Sequence, residues 1–337
     1  MYEKFFGLNA KPFELVPNPD FLFLSKTHRK SLTYLEYGIK ERAGFILLTG
    51  EVGSGKTTLV RNLIKKLDRG AVLSKVFNTM VSSVQLMSMI NEDFGLPVAG
   101  KDKVTLIRDL NDFLIDCYSK NRQAVLIIDE AQNLTPELLE EVRMLSNLEA
   151  DRSKLLQIIL SGQPELMKIL GSPALRQLRQ RISICCNIHP LTKKETEEYI
   201  HYRLEVAGNR NAVTFEEGAM DAIHAFSKGI PRLVNIISDY IMLAAFVDST
   251  RTVTMDIIEE VRGELEKDNR YWGDDADAAQ EAAPGFKDFI GRLEKMEKDL
   301  SVYKVSEEEK WEMHERIITI EKLLKQFCHY VLDKKGV

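Results

Sequence analysis

The chain predicts an α/β fold of P-loop type: a five-stranded parallel sheet, a small helical region after it and a helical tail. Three observations carry this. Five short runs rich in Leu, Ile and Val alternate with segments of helical period, a glycine-rich phosphate motif separates the first run from its helix, and strand signals stop at Leu191.

The first run, residues 44–49, passes through the glycine-rich turn into a helical pattern over 58–67, a strand–loop–helix unit. Further strands are expected at 71–77, 124–128, 155–160 and 184–188. Near-continuous apolar strands are buried on both faces, so helices should cover both sides of the sheet. Beyond Leu191, Thr192 with Glu195 and Thr214 with Glu217 have capping-box spacing ahead of amphipathic runs. The expected division is 1–190 for the nucleotide domain, 191–263 for a helical lid, 264–285 for an acidic linker and 286–337 for an amphipathic tail. In the tail, Phe289, Leu293, Met296, Leu300 and Tyr303 form one heptad-like stripe, and Ile317, Ile320, Leu324, Phe327 and Val331 form another. Two helices, as a hairpin or a coiled coil, would each need a partner surface.

Charge excludes a globally basic nucleic-acid binder. Residues 1–263 carry 33 basic and 33 acidic side chains, while 264–337 carry 13 and 18, so the net charge of −5 lies in the tail. A local basic run extends from Lys168 through Arg176, Arg179 and Arg181 to Lys193 and Lys194. The four cysteines, two of them adjacent, suit reduced thiols in a reducing compartment better than a bridge framework. The start lacks the apolar core of a signal peptide, and the most apolar stretch, 236–247, is cut by Asp239, so no membrane insertion is expected. A cytoplasmic protein is the expectation. No His/Cys cluster and no Ser or Cys nucleophile motif supports metal chemistry beyond Mg²⁺ or covalent catalysis.

The run Gly50-Glu51-Val52-Gly53-Ser54-Gly55-Lys56-Thr57, followed by Thr58, matches G-x-x-x-x-G-K-[ST] after a strand and at a helix start. The glycines allow a tight turn whose amide hydrogens face phosphate oxygens at the positive end of the helix. Lys56 is expected to pair with the β- and γ-phosphates of ATP and the Thr57 hydroxyl to ligate Mg²⁺. The apolar run 124–128 ends in Asp129-Glu130, giving one carboxylate for the Mg²⁺ shell and a second, Glu130, as the base that polarises the attacking water. Met80, Met87 and Met89 read as gap-filling core side chains.

GEVGSGKTT, LIIDEAQ, LLQIILSGQPEL, LRQLRQRI and GIPRLVN, with the leader YEKFFGLNAKPFELVPNPDFLFLS, together resemble the AAA+ ATPases, in the branch of general secretion pathway protein A. The resemblance covers roughly residues 1–262. It implies that a polar residue after the fourth strand, Gln163 or in second place Ser161, contacts the γ-phosphate or the lytic water. It implies an arginine acting on a neighbouring subunit's site, Arg181 with Arg176 and Arg179 as alternatives, and Arg232 as a nucleotide-sensing lid arginine that Pro231 presents to the cleft. The aromatics Phe5, Phe6 and Phe13 either cap the sheet edge or surround the adenine. By the same resemblance the expected protein hydrolyses ATP as a homo-oligomeric ring and works with envelope secretion or export components, which would hold it peripherally at the inner membrane. Longer members of the branch continue through a membrane span into a peptidoglycan-binding region, neither of which is expected here. The acidic tail would be the partner-specific part. DNA-directed ATPases share the core, and nucleic acid is the less favoured partner; a nucleotide-gated scaffold with little turnover is the other alternative.

Overall fold

The computed structural model describes residues 2–269 apart from Pro17, Asp68, Arg69, Asn78, Asp151 and Arg152. The expected tail helices lie outside the described residues, as do residues 270–285 of the expected linker.

Strands β1 (Phe45–Gly50), β2 (Ala71–Val76), β3 (Gln123–Ile128), β4 (Leu156–Gly162) and β5 (Ile182–Ile188) follow the expected runs within one or two residues. They form one sheet in the order β2-β3-β4-β1-β5, with every pairing parallel. The two-residue alternation of a strand sends successive side chains to opposite layers. Phe45, Leu47, Leu126, Ile128, Ile158 and Leu160 pack into one core; Ile46, Leu48, Val125, Ile127 and Ile159 pack into the other. Each fully buried leucine or isoleucine contributes about 1.5–3 kcal/mol of transfer free energy.

The chain opens with α1 (Glu3–Phe6), and α2 (Lys26–Lys40) and α3 (Lys56–Lys66) cover the second layer through Leu32, Leu35, Ile39, Leu59 and Leu63. Helices α4 (Ser83–Asp93), α5 (Lys103–Ser119) and α6 (Pro136–Leu145) cover the first through residues such as Ile90, Leu110 and Val142. Two short helices, α7 (Glu165–Leu170) and α8 (Arg176–Arg181), join β4 to β5. Met87 is buried and Met89 packs against the core as expected, but Met80 is 84% exposed, because it lies in the loop before α4 rather than on the helix.

After β5 come α9 (Lys193–Val206), α10 (Ala219–Ser227), α11 (Pro231–Val247) and α12 (Met255–Asn269). The last of these runs six residues into the stretch 264–285 expected to be linker. The Thr192 hydroxyl and the Glu195 carboxylate form the reciprocal capping box at the start of α9. The second expected box is absent. Thr214 and Phe215 instead pair in parallel with Thr252 and Val253, α10 begins behind Gly218, and the Glu216 carboxylate accepts the Met255 N–H at 2.9 Å at the start of α12.

Phe5 and Phe6 do not cap the sheet edge. Phe6 and Phe13 are buried, and Phe5 meets Phe246 of α11 edge-on at 5.6 Å. Asn9 N–H donates to the Ala207 carbonyl at 2.7 Å and Asn209 donates to the Phe6 carbonyl at 3.1 Å. The first part of the leader is therefore fastened to the helices that follow the sheet. Among the described residues no helix is long and apolar enough to cross a membrane.

Candidate nucleotide-binding site

In a parallel sheet the loops at the carboxyl ends of the strands share one rim, and the motif residues converge there. β1 ends at Gly50, the loop turns through Gly53 (φ 77°) and Gly55 (φ 96°), and α3 begins at Lys56. A side chain at Gly53 would collide with the Cβ of Arg232, so glycine serves both the left-handed backbone and a close approach from α11. Lys56 is 5% exposed and its ammonium donates to the Gly50 carbonyl at 2.8 Å and the Glu51 carbonyl at 3.0 Å. Burial lowers its pKa below the ordinary lysine value, opposed by the carboxylates of Glu130, Asp129, Glu51 and Glu165.

The register of β3 with β4 places Ile128 opposite Leu160, which carries Asp129 alongside Ser161. Ser161 Oγ donates to Asp129 Oδ1 at 2.8 Å, and Thr57 Oγ1 donates to Asp129 Oδ2 at 3.0 Å. Ser161, second choice as the polar contact to nucleotide, thus orients Asp129. A hydroxyl and a carboxylate, both hard oxygen donors, meet at the mouth of the loop, a donor set that suits Mg²⁺. The buried Ser54 hydroxyl in the same loop has no hydrogen-bond partner among the described residues.

Glu130 has a left-handed backbone (φ 50°), a conformation that costs a non-glycine residue about 1–3 kcal/mol and concentrates at functional sites. Thr79 Oγ1 donates to its carbonyl at 3.2 Å. Its carboxylate accepts Gln132 Nε2 at 2.6 Å and Gln163 Nε2 at 3.3 Å, while Gln163 N–H donates to Gln132 Oε1 at 3.0 Å. Gln163 therefore stands beside Glu130. The Gln132 contact has its only sequence signal in the DEAQ run itself.

Arg232 follows Pro231 at the start of α11, and its N–H donates to the Gly53 carbonyl at 3.3 Å. It lines the same cleft, about 380 Å³, as Val52 to Thr58 and Glu130. Facing them are leader residues including Phe21 and Phe23, with Tyr199, Arg203 and Asn235 from α9 and α11. Arg203 is 6% exposed and has no carboxylate partner among the described residues. It donates to the carbonyls of Pro12 and Glu14 and to Tyr199 Oη at 2.8 Å, and it lies 4.9 Å from the centre of the Phe21 ring. Tyr199 Oη donates in turn to Asn235 at 2.8 Å. The leader aromatics at the cleft are thus Phe21 and Phe23, not Phe5, Phe6 or Phe13.

Arg181 lies elsewhere. It precedes β5, at the amino-terminal end of the parallel strands and so opposite the rim that carries the phosphate loop, and donates to Ser146 Oγ at 2.7 Å. Arg179 donates to the Leu170 carbonyl at 3.0 Å and Arg176 is exposed. The basic run does not form one face. The seven residues of β5, roughly 20 Å of chain, separate the arginines of α8 from Lys193 and Lys194, which pair with Asp221 and Glu198.

Residues 39–170 match the family model described as AAA domain. This segment is an AAA domain. Over 254 residues, 75% of this chain, the sequence is 40% identical to General secretion pathway protein A of Aeromonas hydrophila and related to it; the match spans 46% of that protein, about half its length. Solved structures share the fold. The Aeropyrum pernix ORC2 protein, in ADPNP–ADP complexes, superposes with a TM-score of 0.56 at 16% identity, over 77% of this chain and 72% of that one. Drosophila ORC bound to DNA gives a TM-score of 0.59 at 14% identity, over 94% and 83%. At such identities the likeness speaks for architecture alone, and the AAA domain's chemistry here rests on its own residues.

Proposed function

We propose that this chain binds Mg-ATP in the cleft between the sheet rim and the following helices and hydrolyses it. The observation that carries the reading is the meeting of Lys56, Thr57, Asp129 and Glu130 at one rim, with Thr57 and Asp129 in hydrogen-bond contact. Thr57 and Asp129 would hold the Mg²⁺, and the bound ion would neutralise charge on the phosphate oxygens. Lys56 exchanges its loop carbonyls for the β- and γ-phosphates. Glu130 orients a water for in-line attack and takes its proton, a role that requires the carboxylate to leave the Gln132 and Gln163 amides that hold it. Gln163 is offered to the γ-phosphate or the water, and Arg232 to the phosphates from the α11 side. The wall of Phe21, Tyr199 and Asn235 is offered to the base.

Arg181 stands a strand's length from its own chain's phosphate loop, which supports service to a neighbouring copy's site and hence a ring-like homo-oligomer. Such an arginine contributes on the order of 10³-fold or more in rate. The relationship to General secretion pathway protein A supports a role in assembling or regulating an envelope secretion or export system from the cytoplasmic side. A DNA-directed role is less favoured, because the basic run is divided between two ends of β5.

Phosphate release by Glu130→Gln, measured beside its nucleotide affinity, tests the reading. Turnover should fall by about 10²–10⁴-fold with binding retained; unchanged turnover removes Glu130 from the role. A wild type that binds ATP and releases no phosphate would favour the nucleotide-gated scaffold, in which the two glutamines keep Glu130 engaged.

A further inference from the structure

The carbonyls of the phosphate loop are held by groups from several elements. Lys56 takes those of Gly50 and Glu51, the Arg232 N–H takes that of Gly53, and His28, near the start of α2, takes that of Ser54 at 2.8 Å through Nε2. His28 is 5% exposed. A carbonyl can only accept, so Nε2 carries the ring proton and Nδ1 accepts from Ser25 Oγ at 2.7 Å. Ser25 also caps α2 by accepting the His28 N–H, which fixes the ring relative to the helix. In a trans peptide the N–H points opposite to the carbonyl. Drawing the Ser54 oxygen toward α2 therefore turns the Gly55 N–H away from it. Gly55 fits this arrangement twice over: its φ of 96° is left-handed, and a Cβ there would stand 2.9 Å from His28 Nε2.

The same turn touches the helices after the sheet. Glu195 closes the capping box of α9 by accepting the Thr192 N–H at 3.0 Å, and with its other oxygen it accepts the Lys26 N–H at 2.9 Å. The turn Ser25–His28 thus stands between the phosphate loop and the start of α9.

We propose that His28 is a positioning residue for the phosphate loop: it fixes the Ser54–Gly55 peptide so that the loop presents its amides to phosphate, and through Ser25–His28 and Glu195 it keys that geometry to α9. The consequence for affinity rests on the nucleotide reading of the cleft; the consequence for the loop does not.

The test compares wild type, His28→Gln, His28→Asn and His28→Phe by fluorescent-ADP binding and by hydrogen exchange of the peptide covering 50–57. A glutamine amide reaches the position of Nε2, an asparagine amide only that of Nδ1, and phenylalanine keeps the ring without a donor. His28→Phe and His28→Asn should weaken ADP about tenfold and speed exchange in 50–57 while β3 and β4 stay protected. His28→Gln should restore most of both. Equal behaviour of Gln and Asn, or faster exchange throughout the sheet, would overturn the proposal in favour of simple packing. Should His28→Phe fail to fold, the Gln–Asn pair still decides. If the wild type binds no ADP, the nucleotide reading fails by itself, and exchange in 50–57 still judges the role of His28.

Discussion

One wall of the cleft is made from consecutive residues, Val52 to Thr58, with Glu130 delivered just past the end of a strand two places away in the sheet. The other is assembled from Phe21, Phe23, Tyr199, Arg203 and Asn235, which come from both ends of the described chain. The first wall works through backbone hydrogens, and backbone geometry demands particular residues at fixed spacing: glycine where φ is positive, a lysine and a hydroxyl just inside the helix. The second works through ring faces, one buried cation and an amide. Many residues could supply these, and only the folded chain brings them together.

Disabling each wall in turn would sharpen the contrast. Lys56→Ala should have the largest effect, a loss of more than roughly 100-fold in Mg-ATP affinity by calorimetry with the fold intact. Mixed with Arg181→Ala subunits it should regain part of the activity if the arginine serves a neighbour; no regain where the two co-assemble would assign Arg181 to its own chain or to no catalytic role. Arg203→Ala should come next. It strips donors from the Pro12 and Glu14 carbonyls and should cost about 2–4 kcal/mol in denaturant unfolding. ADP should bind more weakly and inorganic triphosphate as well as before, and equal weakening of both would merge the two walls into one. The smallest effect belongs to Thr192→Ala, about 1 kcal/mol from the capping box. Glu195→Ala should exceed it, since that carboxylate also holds Lys26 N–H.

The sheet was legible because each buried strand is a short apolar run bounded by turn residues, and the phosphate loop because its pattern is local. Asp129 and Glu130 were legible from their place at a strand end. The partners that restrain Glu130 were not all so: Gln163 was marked through family likeness, whereas Gln132 and Thr79 owe their positions to tertiary packing. His28 lies just past the leader, in the first turn of α2, and nothing local in the sequence marks its partner 26 residues away. The misread capping box at Thr214 shows the limit of a four-residue signal. A hydroxyl followed by an acid fits a helix start, yet tertiary pairing with Thr252 drew the segment into a strand. The leader aromatics misled for the same reason, since their bulk suits any apolar surface and only contact with α11 selects one.

The fastening of residues 2–14 to the helical bundle sets a mechanical bound. α2 belongs to the sheet layer, so the bundle and the sheet are joined by two strips of chain only among the described residues: the short one between β5 and α9, and residues 15–24. The short strip is the natural hinge. The long one, ten residues in length, is itself seated on α9 through Phe21 and Phe23; peeled away and pulled straight it can span no more than about 33–36 Å, and so acts as a check-strap on how far the jaws can part.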